Sequence, residues 1–588
     1  MILFNYQALK FKYQLWLLLI FSLTFSSTTF AQINLNIKIH GVSEVMERNI
    51  RELLSIEQQK DHTLLSEGRL YHLHKKAEKE ISSALQPYGY YRAEIKKELI
   101  KQSQNQWQAI YTVNPGPPIP IAELNIILSE EIKNDPEFKS LLENMTLHIG
   151  EPFSHIKYED LKKEFARLAA EQGYFRAHFV EHRVEINLNT YQAHVNLHFD
   201  GGIRYNFGQV LLNQTVLDPA FLQKYILFKR GQPYEQNELI ELQQALNDSD
   251  YFSHVEVSPG QLDDSAHELS VKIKLTPRKK HRYSAGLGYG TDTGARAKFG
   301  WEIPLYNKSG HRIKTEASVS EIGYSAGVQY RVPVLNPRTD QMIYSAGVIN
   351  QKTTTSDSTV STIGASLNHS LGLWRQSIAL NYQKEEFIVG ADQGISKLLM
   401  PSITLSRTWG NNFIYAIDGL RFDVSLRGAS EELLSDNSFL QLHGGIKAIT
   451  PLWKSNRMIT RGRLGTTWTD DFHELPASVR FFAGGAQSVR GYSYQSLGPT
   501  DATGTVIGGR HLMIGSIEFE HNLSDKWGVA LFYDAGNAYD NLDDKLEHGA
   551  GFGFRWKSPI GSVRIDFASA ISQPNQPWRL HINIGPDL

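Results

Sequence analysis

Two residues carry the most specific chemistry in the chain. Arg490 stands in FFAGGAQSVRGYSYQSLGP (residues 481–499), where Gly484, Gly485, Gly491 and Gly498 permit tight backbone reversals. Its planar guanidinium suits a bidentate contact with a carboxylate. Asp534, in FYDAG (residues 532–536), is a candidate partner: a strand with Trp527, Val529, Leu531 and Tyr533 on its outer face turns Phe532 and Asp534 inward. Spacing alone leaves two readings open, that inward pair and a solvated loop arginine whose ion pairs contribute little.

Other candidates are weaker. GYSAG (residues 323–327) matches the G-x-S-x-G nucleophile elbow, but the elbow needs a strand, a strained turn and a helix, and Ser325 falls inside an alternating strand. His72 and His74 lie two apart without further ligands and read as surface histidines. Asp540, Asp543 and Asp544 read as solvated loop charge. No P-loop, H-E-x-x-H or EF-hand pattern occurs. With no cysteine in 588 residues, disulfides and thiolate metal sites are excluded. A formal charge of −2 gives no reason to expect a nucleic-acid partner. The expectation is a protein that is not an enzyme and needs no cofactor or metal.

The elements that must hold Arg490 and Asp534 are written in period two. Beyond a basic link, PRKKHR (residues 277–282), apolar and aromatic residues alternate with small or polar ones. Tyr324, Ala326, Val328, Tyr330 and Val332 share one face of their segment; Phe552, Phe554 and Trp556 alternate with Gly551, Gly553 and Arg555; Val563, Ile565 and Phe567 alternate with Arg564 and Asp566. Charges placed side by side on the second face predict a water-filled lumen rather than the core of a soluble sandwich. About 16 antiparallel strands of roughly 10 residues fit residues 278–588, an even number that closes with antiparallel neighbours. The first lies near Tyr283 and Tyr289, the last over 578–585, and residues 470–509 join the eleventh to the twelfth. A connection of that length signals function or disorder. The basic link is expected to be a solvated hinge, with contact to acidic lipid as the alternative.

The N-terminal half repeats instead. LQPYGYYRAEI (85–95), AEQGYFRAHFV (170–180) and LNDSDYFSHVEV (246–257) place Tyr90, Tyr174 and Tyr251 at equivalent points, each after a helix and before a strand. The tyrosines are expected to pack helix on sheet. GEPF (150–153) and GQPY (231–234) are expected to open helices, with proline near the start. The repeat divides this half into α/β modules over 32–117, 118–203 and 204–277. Ahead of them, Lys10, Lys12 and the apolar run 15–25 read as a secretory signal peptide over residues 1–31.

The VRGY stretch and the F-x-D-x-G strand resemble the BamA-type superfamily of outer-membrane insertases and secretion pores. The repeats resemble its POTRA modules; three of them, with the ending IGPDL, are similar to the TamA family within it. Leu588 departs from the terminal phenylalanine of many barrels. The resemblance implies a transmembrane β-barrel preceded by three α/β POTRA modules. It also implies a lock in which Arg490 folds back into the lumen onto Asp534, with Gly491 and Tyr492 completing the turn and Gly536 in the partner motif; Tyr492 stands where phenylalanine is also common. A charge swap between Arg490 and Asp534 is expected partly to restore a broken lock. The seam between first and last strands, marked by Tyr283, Tyr289, Ile582, Ile584 and Gly585, should be weakly zipped because Gly585 and Pro586 interrupt the ladder. The resemblance implies that it opens laterally, or thins the bilayer, for client proteins. The implied function is insertion or translocation of outer-membrane proteins, autotransporters among them, from the outer membrane of a Gram-negative-type bacterium with POTRA modules in the periplasm. Implied partners are a TamB-like periplasm-spanning inner-membrane protein, the clients, and outer-membrane lipid, with no nucleic acid. A passive pore or lipid and solute conduit, and a two-partner secretion transporter, are the rival readings.

Overall fold

The computed structural model describes residues 33–62, 65–214, 216–410, 415–453, 455–541, 543–558 and 561–585. The leader expected over 1–31 lies outside the described residues, as do Pro586 and Leu588 of the ending.

Three three-stranded sheets precede the barrel. Their spatial orders are Asn34–His40, Gln106–Asn114, Glu94–Lys101; then Ile121–Leu128, Gln192–Asp200, His178–Asn187; then Asn206–Asn213, Glu268–Pro277, Phe252–Asp263. In the first module the central strand alternates so that Trp107, Ala109, Tyr111 and Val113 are buried. Helix Glu67–Leu85 lays Leu70, Leu73, Ala77, Ile81 and Ala84 on that face, the three- and four-residue spacing of an amphipathic stripe. Ser66 caps it by accepting from the Arg69 N–H. Each leucine so buried contributes about 1.5–3 kcal/mol. Past the helices, Gly89 (φ +86°) and Gly173 (φ +87°) turn left-handed, and a Cβ at Gly89 would lie 2.3 Å from the Phe153 carbonyl oxygen. Pro152 and Pro233 do not open helices. They sit in short bridges to Pro120 and Asn206, ahead of helices His155–Glu171 and Gln236–Asp248, because the extended backbone of a bridge suits proline's fixed φ as well as a helix start does. Ser154 opens the first of those helices by accepting from the Lys157 N–H.

Two compact units emerge. One runs to residue 208 and adds 230–237 and 262–269; the other comprises 209–229, 238–261 and 270–588, so much of the third module belongs to the body of the barrel. Within that second unit the Tyr251 hydroxyl donates to the Gly310 carbonyl at 2.7 Å. Arg312 lies 4.5 Å over the Tyr251 ring and donates to the Ser249 carbonyl. The Tyr225 hydroxyl donates to the Pro337 carbonyl at 3.4 Å. Asp250, left-handed at φ +62° where the other modules have glycine, pairs with Arg278 at 3.0 Å and with Arg282. Two expectations change here. Tyr90 and Tyr174 pack within their own modules, but Tyr251 also fastens its module to a barrel turn. The basic link is no solvated hinge at Arg278 and Arg282, because Asp250 holds both.

The remaining strands, Arg282–Gly290 through Trp578–Gly585, form one 16-stranded sheet in which each strand pairs with the next in sequence, antiparallel. It is a transmembrane β-barrel. Outward positions are mostly apolar, and Leu287 at 92% and Leu531 at 63% exposure are covered only if lipid surrounds them. Among the described residues no helix is long and apolar enough to cross a membrane. The interior is less wet than the alternation implied: Glu385, Glu518, Asp534 and Asp566 are buried where the long connection after the eleventh strand folds against them, and Arg555, Glu520 and Arg457 are buried where they continue the same run of ion pairs along the wall. Ser325 lies inside strand Gly323–Pro333, its hydroxyl 2.7 Å from that of Ser318, so no elbow exists. His72 is exposed, whereas His74 is half-buried with Nδ1 3.0 Å from the Tyr111 hydroxyl, a core contact in place of the surface position expected.

Candidate functional site: the lumen loop and the seam

The loop over residues 469–510 leaves strand Asn456–Trp468 and returns in strand His511–Asn522. It owes its order to backbone pairing and apolar packing. Bridges join Phe481 to Gly509, Ala483 to Leu497 and Thr500 to Val506. Val489, Tyr492 and Leu497 pack with Leu512, Ile514, Ala538 and Ala570 of the wall. Gly491 adopts φ +97°, and a Cβ there would meet the Ala570 nitrogen at 2.8 Å, so only glycine passes this close to the fifteenth strand.

That path delivers Arg490 to Asp534. Nε donates to Oδ2 at 2.7 Å, Nη2 to Oδ1 at 2.9 Å, and the Arg490 backbone N–H to Oδ2 at 3.0 Å. The side chains are 2% and 0% exposed. The guanidinium lies 3.4 Å over the Phe532 ring and reaches two further carboxylates, Glu518 at 2.7 Å and Asp566 at 3.2 Å. Arg555 binds the same pair, with Glu518 at 2.5 Å and Asp566 at 2.6 Å, and adds Glu520 at 2.7 Å. Glu520 goes on to Arg457, and Arg461 approaches Asp534 at 3.9 Å. Arg490, Arg555 and Arg457 therefore interleave with four carboxylates in a buried patch, and Arg461, 18% exposed, stands at its edge. Each ion is stable there only because its neighbours replace the water it has lost.

Of the residues expected at the lock, Arg490 and Asp534 are in direct contact, Gly491 makes the close approach, and the Tyr492 hydroxyl donates to Glu547 at 2.7 Å. Gly536 serves the ladder instead: a Cβ there would lie 2.7 Å from the Met513 carbonyl oxygen. Glu518, Glu520 and Ser516 also belong to the site; the sequence signal for the two glutamates is IEFEH at 517–521, which puts both on one parity. Period two places Arg555 and Asp566 on the lumen face and does not by itself join them to the loop. Two further anchors had no sequence signal. Arg480 donates to Asp392 at 2.9 Å and to the carbonyls of His473 and Leu475, and Glu385 accepts the Ser478 N–H at 3.2 Å.

At the seam, the first strand pairs only with the second and the last only with the fifteenth; among the described residues no ladder joins first to last. Tyr283 and Tyr289 project outward, 65% and 50% exposed. Ile582 and Ile584 pair with Ile565 and Val563, and Gly585 with Ser562, all on the side away from the seam. The last strand reaches the first hairpin through one turn: the Ile582 N–H donates to the Thr291 hydroxyl at 3.3 Å. The loop touches both sides of this gap. The Gly491 N–H donates to Nε2 of His581 on the last strand at 3.0 Å, and the Ala486 N–H donates to Asp292 beside Thr291 at 2.9 Å.

Residues 306–587 match the Omp85 superfamily domain, residues 36–115 the POTRA domain described as TamA domain 1, and residues 205–278 a POTRA domain described as a surface antigen variable number repeat. The outer membrane protein assembly factor BamA of Nitratidesulfovibrio vulgaris (strain Hildenborough) is 23% identical over 385 residues, covering 61% of this chain and 48% of that protein. The chain thus spans about half the length of that relative. The crystal structure of BamA from Haemophilus ducreyi lacking POTRA domains 1–3 superposes with a TM-score of 0.68 at 17% identity, covering 79% of this chain and 99% of that one. The likeness is one of fold, POTRA modules leading into a barrel.

Proposed function

We propose that this chain, which belongs to the Omp85 superfamily and carries POTRA domains ahead of its barrel, is a translocation and assembly factor of the outer membrane in a Gram-negative-type bacterium. Its modules stand in the periplasm. Its clients are other outer-membrane proteins, autotransporters among them, which enter the bilayer as strands at the seam. The observation that carries this reading is the seam itself, a lipid-facing gap where no ladder joins first and last strands among the described residues. Unpaired backbone groups are costly in a bilayer, so the free edge of Arg282–Gly290 is a template that an incoming strand satisfies. The activity is non-enzymatic: the client's own folding into lipid supplies the driving force. A TamB-like inner-membrane partner would dock on an edge strand of a module sheet, Glu94–Lys101 and His178–Asn187 being such edges.

The test places photo-crosslinking residues at Leu287 and Leu580, beside the seam, and at Leu464 on another part of the wall. Newly made outer-membrane proteins are expected to crosslink at the first two and not the third; equal labelling at all three, or none at the seam, overturns the reading. One observation favours a second reading. A cavity of about 260 Å³ beside the loop is lined by Arg421, Asp423, Lys447, Arg461, Arg463 and Gln487, the kind of wet path a solute conduit needs. Large steady conductance in planar bilayers, independent of clients, would favour that conduit.

A further inference from the structure

On the outer wall of the barrel the Arg407 guanidinium has no anion among the described residues. Arg407 belongs to strand Asp392–Gly410, and period two puts it on the outer face with Ile395, Ile403 and Trp409. Its Cζ lies 4.1 Å from the centre of the Trp409 ring and 5.6 Å from that of Trp374. The two indoles meet edge to face at 6.2 Å, and Phe422, directly across the ladder from Arg407, closes the box against Trp374 at 5.9 Å. Nε is shut away from solvent without a hydrogen-bond partner, and no carboxylate among the described residues pairs with the group. Two outward lysines differ: Lys384 pairs with Glu386 at 2.8 Å and Lys352 with Asp357 at 3.0 Å.

The site has a definite height. Strands alternate in direction, so the end of 392–410 lies at the same rim as the turns at 304–311 and 334–340, the rim to which Tyr251 and Tyr225 of the third module are fastened. In the proposed orientation this is the periplasmic leaflet, and tryptophan with arginine at the end of a spanning strand marks the headgroup level. Aromatic faces attract a guanidinium but do not neutralise it. A phosphate does so with two parallel N–H···O bonds, the geometry Arg presents. Above Arg407 the outer face runs on through Leu405 and Ile403, with Val424 and Leu426 on the neighbouring strand, an apolar track for acyl chains.

We propose that Arg407, Trp409, Trp374 and Phe422 form a binding site for the phosphodiester of a glycerophospholipid in the module-side leaflet, on the wall away from the seam. The site rests on the barrel spanning a bilayer and not on the insertase reading. Such a site holds one annular lipid and fixes the depth of the barrel on that side.

The test is native mass spectrometry of the full chain released from detergent, titrated with dioleoylphosphatidylglycerol and, separately, dioleoylglycerol. The unsubstituted protein is expected to retain one tight phosphatidylglycerol adduct and no comparable diacylglycerol adduct. Arg407→Gln is expected to weaken that adduct by about tenfold or more, and Arg407→Lys by less, since lysine keeps the charge but not the fork. Adducts unchanged in Arg407→Gln overturn the site, and displacement by excess inorganic phosphate overturns the lipid in favour of a free anion. Should Arg407→Gln fail to assemble, Trp374→Leu removes one wall and leaves the charge; it is expected to weaken the same adduct, and full retention overturns the box.

Discussion

Asp534→Asn removes one charge from the loop patch while keeping the shape of the side chain, and its consequence follows from the bonds Asp534 accepts. In the native protein it takes three from Arg490, at 2.7, 2.9 and 3.0 Å, one of them from the backbone N–H. Asparagine has one acceptor oxygen in place of two and turns an NH2 toward a guanidinium. Arg490 keeps Glu518 and Asp566, so it is not left without an anion. Breaking a buried pair outright costs about 3–5 kcal/mol, and with the two remaining carboxylates a loss of about 3 kcal/mol is expected. That corresponds to roughly a hundredfold shift toward the displaced loop. An exposed pair would give about 0–1 kcal/mol, too little to see. Limited proteolysis of the full chain reads the displaced population when loop motion is fast relative to cleavage. Cutting within 480–510 should rise by about two orders of magnitude while the folded barrel persists on unheated gels. Cutting at the native rate would mean that the pair does not hold the loop. The same geometry revises the charge swap. Aspartate at 490 would face Glu518 and Asp566, and arginine at 534 would stand beside Arg461, so the swap is expected to release the loop further rather than restore it.

Three other outcomes are open to measurement. His581→Phe takes away the acceptor of the Gly491 N–H and leaves that donor buried, a loss of about 1–3 kcal/mol that should raise loop proteolysis less than Asp534→Asn does; His581→Gln, able to offer an acceptor, should recover part of it. Asp250→Ala removes the carboxylate that Arg278 and Arg282 share, leaving Arg282 with Glu302 and Arg278 with the Phe252 carbonyl, and hydrogen exchange over Phe252–Asp263 in the full chain should quicken while Glu94–Lys101 in the first module is unchanged. Burial beside Tyr111, with the charge of Lys97 second, pushes the His74 imidazole below its ordinary value. The folded module then binds fewer protons than the unfolded chain between the two values. Its stability is full above the ordinary imidazole value of about 6.5 and declines as pH falls through the depressed one. Protection factors in Gln106–Asn114 should fall from pH 7 to pH 5 in the native chain and stay level in His74→Gln.

What was legible in the sequence follows the solvent. Lipid outside and polar surroundings inside force a period of two, so the barrel, its strand number and the inward parity of Asp534 could be read from residues such as Trp527, Leu531 and Tyr533 alone. Module repeats were legible because a helix must end in a left-handed residue before the aromatic pair, which Gly89 and Gly173 announce. Partners in the lumen were a different matter. Parity places Glu518, Asp566 and Arg555 on the inner face, but which of them meets Arg490 depends on the path of a loop steered by three bridges and by left-handed Gly484, Gly485 and Gly491. No local rule relates residue 490 to carboxylates on the twelfth, thirteenth and fifteenth strands. The third module misled for a related reason. Asp250 stands where glycine stands in its siblings, and its side chain, absent from them, binds the link. A repeat predicts shared scaffold; the residue that departs from it marks where the copy has taken on a contact its siblings lack. By that criterion Asp250, together with Tyr251 on the Gly310 turn, couples the third module to the first barrel hairpins, the same hairpins whose leading strand bounds the seam. Movement of that module therefore bears directly on Arg282, the first residue of the strand that bounds the seam.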